Sequence, residues 1–222
     1  MQFYYAKIRS SNREFSRVFS LFLQLIITGL LLSLISSCTP KTVNIDVDND
    51  QAGAVMGLDY RDFQKAAGEV ISKLLQSDAL KVKADGGRYV LAISRIVNDT
   101  MQRIDTDQLI KKIRVELLNS GRVYVTTAVG LYGAEDELSM NTRQLRQSEE
   151  FNQQTIAKKG QMIAPDMSLS GKIMQKNIKL DKNVQQIEYY FQLSLTNVHT
   201  GLAIWEGEEF IGKRGSNKSV SW

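Results

Sequence analysis

From Asp59 onward, apolar residues recur at the spacing of a helix. Phe63, Ala66, Ala67, Val70, Ile71, Leu74 and Leu75 fall on one face, and Asp59 is placed to cap the first turn. Gly86-Gly87 makes a turn. Arg88–Val97 then runs almost unbroken in apolar residues, which predicts a central strand buried on both faces. Asn98-Asp99-Thr100 ends it. Asp105 or Thr106 caps a second helix with Leu109, Ile110, Ile113 and Leu117 as its inner face, and Gly121 closes it in the left-handed conformation. Arg122–Thr127 is the next strand, so the strand–helix–strand order predicts a crossover with two parallel strands.

Gly130 to Pro165 has a different texture, rich in Gln, Arg and Glu. A thin stripe of Leu138, Leu145 and Ile156 predicts a long, mostly solvated helix from about Leu138 to Lys158, ended by Gly160. The last third alternates with period two. Met167, Leu169, Gly171 and Ile173 form one face of a strand. Ile187, Tyr189, Phe191, Leu193 and Leu195 alternate with Glu188, Tyr190, Gln192, Ser194 and Thr196 in the strongest strand signal of the chain. Asn197-Val198-His199-Thr200-Gly201 turns that strand into a partner running from Leu202 to about Ile211, an antiparallel hairpin. Trp205 is compatible with either face. The pattern predicts an α/β (α+β) domain over 58–213, with a mixed parallel and antiparallel sheet of about five strands packed with about three helices. Residues 214–222 read as a flexible tail, the basic stretch beginning at Gly212.

The N-terminus changes the picture. Lys7, Arg9, Arg13 and Arg17 precede Leu21–Ile35, an uncharged and mostly apolar stretch shorter than the 20 or so residues that span a bilayer. That order reads as a secretory signal peptide over 1–37. Ile35-Ser36-Ser37-Cys38 resembles the lipobox of bacterial lipoproteins, which implies cleavage between Ser37 and Cys38 and acylation of the Cys38 thiol. Several acyl chains would hold the protein stably on a membrane. Thr39 to about Gly57 reads as a tether; at about 18 residues it reaches at most about 60 Å. Val43, Ile45 and Val47 alternate with polar residues, so a short strand is the other reading there.

Charge follows the same division. The whole chain carries 28 Lys+Arg against 24 Asp+Glu, a net +4, but residues 1–37 hold four of the basic residues and one Glu. The remainder is close to neutral, which excludes a nucleic-acid binder with a basic face. One Cys and one His exclude a disulfide framework and leave too few ligands for a zinc or copper site. Gly130-x-x-Gly133 lacks the third glycine of a dinucleotide site and the Gly-Lys-Ser/Thr of a phosphate loop, and so reads as a loop. Asp105 and Asp107 read as helix-capping residues, Glu206, Glu208 and Glu209 as a solvated strand face, and His199 as an exposed turn residue. No complete catalytic set is present in the sequence, and neither a metal nor a cofactor is expected beyond the lipid on Cys38.

Taken in order, several short motifs resemble the LpoB-type penicillin-binding-protein activators, whose fold is similar to the N-terminal domain of TolB and to curli-secretion lipoproteins. They are Asn98-Asp99-Thr100, then Asp105-Thr106-Asp107 with its helix and Gly121. Ala164-Pro165-Asp166-Met167-Ser168-Leu169-Ser170-Gly171-Lys172-Ile173 follows, then Asn197–Gly201 leading to Trp205-Glu206. The likeness spans about residues 54–213. It implies a non-enzymatic lipoprotein of the outer membrane, facing the periplasm, with Thr39 where inner-membrane lipoproteins commonly carry Asp. It implies a class A penicillin-binding protein as partner, stimulated in glycan polymerisation and cross-linking, and neither a nucleic acid nor a small-molecule substrate. One departure stands out: the tether here is short, whereas the best-known members have a long Pro-rich one. A structural, secretion-associated or flagellum-associated lipoprotein of the same fold class is the alternative. Because aromatic and Arg residues dominate interface hot spots, Tyr132, Arg143, Arg146 and Tyr190 are the candidate partner-binding residues.

Overall fold

The computed structural model describes Gln24 and residues 53, 55–83, 85–130, 132–216 and 218; Ser37, Cys38 and the tether positions Val43, Ile45 and Val47 lie outside them. Among its described residues, the unit from Gly53 to Trp222 has three α-helices, α1 (Tyr60–Gln76), α2 (Thr106–Asn119) and α3 (Glu137–Asn141), and five strands, β1 (Tyr89–Asp99), β2 (Val123–Val125), β3 (Met167–Lys179), β4 (Val184–Asn197) and β5 (Ala203–Ser216). The sheet order is β2-β1-β3-β4-β5. β1 is parallel to both β2 and β3, while β3–β4 and β4–β5 are antiparallel. The mixed α+β architecture is the one the hydrophobic pattern predicts.

Both long helices begin where a carboxylate meets free N–H groups. The Asp59 side chain accepts from the Arg61 and Asp62 amides, and Asp62 reaches back to the Asp59 amide, a complete capping box. Asp105 does the same for α2 through the Asp107 and Gln108 amides, and Gly121 follows the helix at φ 65°. α1 packs against β5 and α2, and α2 packs against β1 and β2. Their apolar stripes, with Val70, Ile71, Leu74, Ile113 and Leu117 fully buried, meet Leu91, Leu169, Ile173, Leu193 and Leu195 from one face of the sheet. Trp205 belongs to this face: its indole lies over Gly207, next to Val70. A glycine is required there, because a Cβ would sit 2.3 Å from the ring.

Four expectations are corrected. No long helix spans Leu138–Lys158: α3 stops at Asn141, a 3-10 turn covers Thr142–Gln147, and turns follow. The cause is local competition for the backbone. Gln153 Nε2 donates to the Leu145, Ser148 and Phe151 carbonyls, Asn152 accepts from the Gln154 amide, and the Thr155 hydroxyl donates to the Asn152 carbonyl. With no buried residue in α3 or the 3-10 turn, no packing overrides those bonds. Second, β1 is an interior strand, flanked by β2 and β3, but it is not buried on both faces along its length. β1 buries both faces only near Val90 and Leu91, and its far half exposes Arg95, Val97 and Asp99. A bulge between Ile93 and Ile96 shifts its register there.

Third, β2 is shorter than predicted and β3 and β4 are longer. Fourth, β5 runs on to Ser216, so residues 212–216 are strand, not tail. Lys213 pairs with Asp62 at 2.5 Å and donates to the Gly57 carbonyl, Arg214 donates to Gln186, and Met56 lies over Gly215. Basic residues that look solvated in the sequence thus find acceptors on both sides of the strand.

Candidate functional site

The motif residues prove to be the joints of the fold. Asp166 Oδ2 accepts from the Val90 amide at 2.8 Å and from Lys83 Nζ at 2.6 Å, while its own backbone ties β1 to the β4–β5 turn through Val90 and Val198. Burial works to raise the Asp166 pKa, but the Lys83 ammonium, the Val90 N–H and nearby His199 together hold it below its ordinary value. Asn98 accepts from the amide and hydroxyl of Thr100 and donates to the Gln102 carbonyl, and Gln102 accepts from the Leu58 amide at the entry to α1. Asn197 Oδ1 accepts from the His199 and Thr200 amides, and Gly201 closes that turn at φ 72°. His199 is exposed, as expected, and lies 4.0 Å from Asp166.

α1 and α2 cover one face of the sheet; on the other face the 137–165 connection lies beside Val90 and Tyr124, and β3, β4 and β5 present an open surface. Cross-strand register on the open face sets Met174 beside Tyr190 and Tyr190 beside Phe210. The two rings stand 5.5 Å apart at 56°, and Phe210 is 54% exposed. The row is framed by Lys172, Gln192 and Glu208 on one side and Lys176 and Glu188 on the other. The Tyr190 hydroxyl donates to Glu188 at 2.7 Å, and that bond raises the tyrosine's pKa and lowers the carboxylate's. Gln192 donates to Glu208 and Ser194 to Glu206. Glu209, expected to share this solvated face, instead points toward the helices and pairs with Lys73 of α1.

The four candidate residues do not gather at one place. Tyr190 lies on the open sheet face. Tyr132, 95% exposed, projects from the tight turn in which the Gly133 amide bonds the Gly130 carbonyl. It borders a groove of about 420 Å³ with Ile93, Ile96, Ile110 and Glu135. Arg143 lines a separate groove of about 450 Å³ with Val90, Tyr124, Met162 and Ile163. Arg146 is committed within its own segment, where Nε donates to the Ala157 carbonyl at 2.7 Å. Sequence reading missed Phe210, Tyr124 and Arg88, whose guanidinium lies 5.2 Å from the Tyr124 ring centroid. Phe210 had a signal: it is an aromatic residue on the polar side of an alternating strand. Tyr124 and Arg88 had none, because their exposure depends on where the 137–165 connection crosses the sheet.

Among the described residues no group of three or more His, Cys, Asp or Glu could hold a metal ion. Among them, too, no helix is long and apolar enough to cross a membrane. The arrangement offers surfaces for another macromolecule: an aromatic row on an open sheet, and two grooves bordered by Tyr and Arg.

The sequence and the fold were also compared with known proteins. The family described as Peptidoglycan-synthase activator LpoB matches residues 62–211. No curated protein matches the sequence. Among solved structures, the LpoB C-terminal domain from Salmonella enterica is similar at 18% identity and a TM-score of 0.40, covering 68% of this chain and 98% of that one. The LpoB C-terminal domain from Escherichia coli is similar at 16% identity and a TM-score of 0.41, with the same coverage. The NMR structure of E. coli LpoB is similar at 16% identity and a TM-score of 0.38, covering 82% of this chain and 87% of that one.

Proposed function

The chain belongs to the LpoB family of peptidoglycan-synthase activators, and from that premise we propose that it binds a class A penicillin-binding protein and raises its glycan polymerisation and peptide cross-linking without turning over substrate itself. The observation that carries the reading is the family match, which runs from the first turn of α1 into β5 and so takes in the whole helix-covered core. Two features support a binding role. The exposed aromatic and Arg residues are the types that dominate interface hot spots. The charged residues inside the fold, Asp59, Asp62 and Asp166, are occupied in caps and ion pairs.

In the same reading Cys38 is acylated, and the protein is anchored by lipid to the outer membrane with its domain in the periplasm. The lipobox-like Ile35–Cys38 after an apolar stretch supports this. The test is binding: the full-length lipoprotein, immobilised in detergent, is exposed to the same organism's class A penicillin-binding proteins. Saturable binding at micromolar concentration or below is expected. Lack of binding to all of them by folded protein would contradict the proposal and favour a structural lipoprotein.

A further inference from the structure

Arg143 stands out among the half-buried cations. Lys83 pairs with Asp166, Arg114 with Glu135 and Lys213 with Asp62. The Nε atoms of both Arg114 and Arg143 are buried without a hydrogen-bond partner, but Arg114 has Glu135 through its terminal nitrogen, whereas the Arg143 side chain makes no ion pair among the described residues. A desolvated guanidinium N–H with no acceptor is costly, and a carboxylate is the acceptor whose geometry matches its fork. The groove around it is walled by Val90, Tyr124, Met162 and Ile163 and is lined by no acidic residue. Arg88, over the Tyr124 ring, is a second cation beside one of the lining residues. Ile163 and Tyr124 are more than half exposed, so the apolar walls are open to a partner.

We propose that this groove docks a segment of the partner protein that carries one carboxylate flanked by apolar side chains. The carboxylate pairs with the terminal N–H groups of the Arg143 guanidinium, and the flanking apolar groups cover Tyr124, Met162 and Ile163. The charge complementarity is one-sided: the lining holds the Arg143 cation and no acid, and the neighbouring Asp166 carboxylate is already paired with Lys83. The inference deepens the binding role proposed above and rests on it for the partner's identity, not for the chemistry of the groove.

Two arms test it and separate the two ideas. In the first, the full-length chain is titrated with the peptide acetyl-Leu-Ile-Glu-Leu-Phe-amide and with its Glu→Gln analogue, following the Arg143 Nε–Hε resonance. The Glu peptide is expected to shift that resonance and to bind at least tenfold more tightly than the Gln peptide. Arg143→Met is expected to abolish the preference while leaving the melting temperature within a few degrees. Arg143→Lys is expected to keep part of the affinity but not the tenfold discrimination. Equal binding of the two peptides, no binding up to millimolar concentration, or an unchanged preference in Arg143→Met would overturn the proposal.

In the second arm, Arg143→Met is expected to weaken binding to the class A synthase at least tenfold. If the wild-type chain binds the synthase and Arg143→Met binds equally well, the groove is not the docking site, although the broader function stands. If no synthase binds yet the peptide preference holds, the groove proposal stands and the partner must be sought elsewhere.

Discussion

Gly171 sits where β3 and β4 approach closely. A Cβ there would lie 2.7 Å from the Gln192 carbonyl oxygen and 2.7 Å from a Leu193 methyl. The backbone neighbour cannot yield, because Gly171 pairs with Leu193 across the β3–β4 ladder. Gly171→Ala is therefore expected to destabilise the domain by about 1–3 kcal/mol, the usual cost of overpacking, read as a lowered denaturant midpoint at constant slope. Asp166 is a joint of a different kind. Its folded pKa is lowered, so its contribution to stability is complete above the ordinary value of 3.8 and is lost as pH falls through the folded value. Asp59, whose pKa is lowered by the Arg61 side chain, the helix amides and Lys213 against the opposing effect of burial, adds stability lost over the same acid range. Asp166→Asn should cost about 1–2 kcal/mol at neutral pH and flatten the acid limb of urea-melt stability plotted from pH 5 to pH 2. A variant with the wild-type acid limb would show that the Lys83 and Val90 contacts carry no stability.

At the scale of elements, the structure follows the sequence wherever burial decides. The stripes of α1 and α2, both caps, the Gly121 terminus and the alternation of β4 are all legible because each apolar position meets the core. The 137–165 connection is not, because helical propensity there is unsupported by packing and yields to side-chain hydrogen bonds of Gln153, Asn152 and Thr155. The end of β5 is not legible either. Its strand character comes from partners distant in sequence, Asp62, Gly57 and Gln186, which no local pattern announces. The candidate site shares this difficulty. Arg143 is visible as a residue type, but its groove exists only because the connection brings Met162 and Ile163 beside Val90 and Tyr124. Hydrogen exchange distinguishes the two readings of the connection. Amides from 148 to 163 are expected to exchange orders of magnitude faster than those at the centres of β3 and β4. Protection running continuously from 138 to 158 would instead indicate the long helix.

At the scale of the molecule, a nearly neutral domain follows a basic, apolar N-terminus, and the proposed function gives the two parts different tasks. In the proposed function, anchoring depends on one atom, the Cys38 thiol. Cys38→Ser is expected to remove the acyl mass from the mature protein and release it from washed membranes, with the melting temperature of the domain unchanged. The proposed function rests on a surface and not on a reacting group, so its signature is a change in another protein's rate. The direct measurement is lipid II consumption by the same organism's class A penicillin-binding protein as the full-length lipoprotein is titrated in. The account predicts a rate that rises and saturates with the lipoprotein, with no consumption by the lipoprotein alone. A rate that stays flat across a titration in which the two proteins demonstrably bind would contradict it.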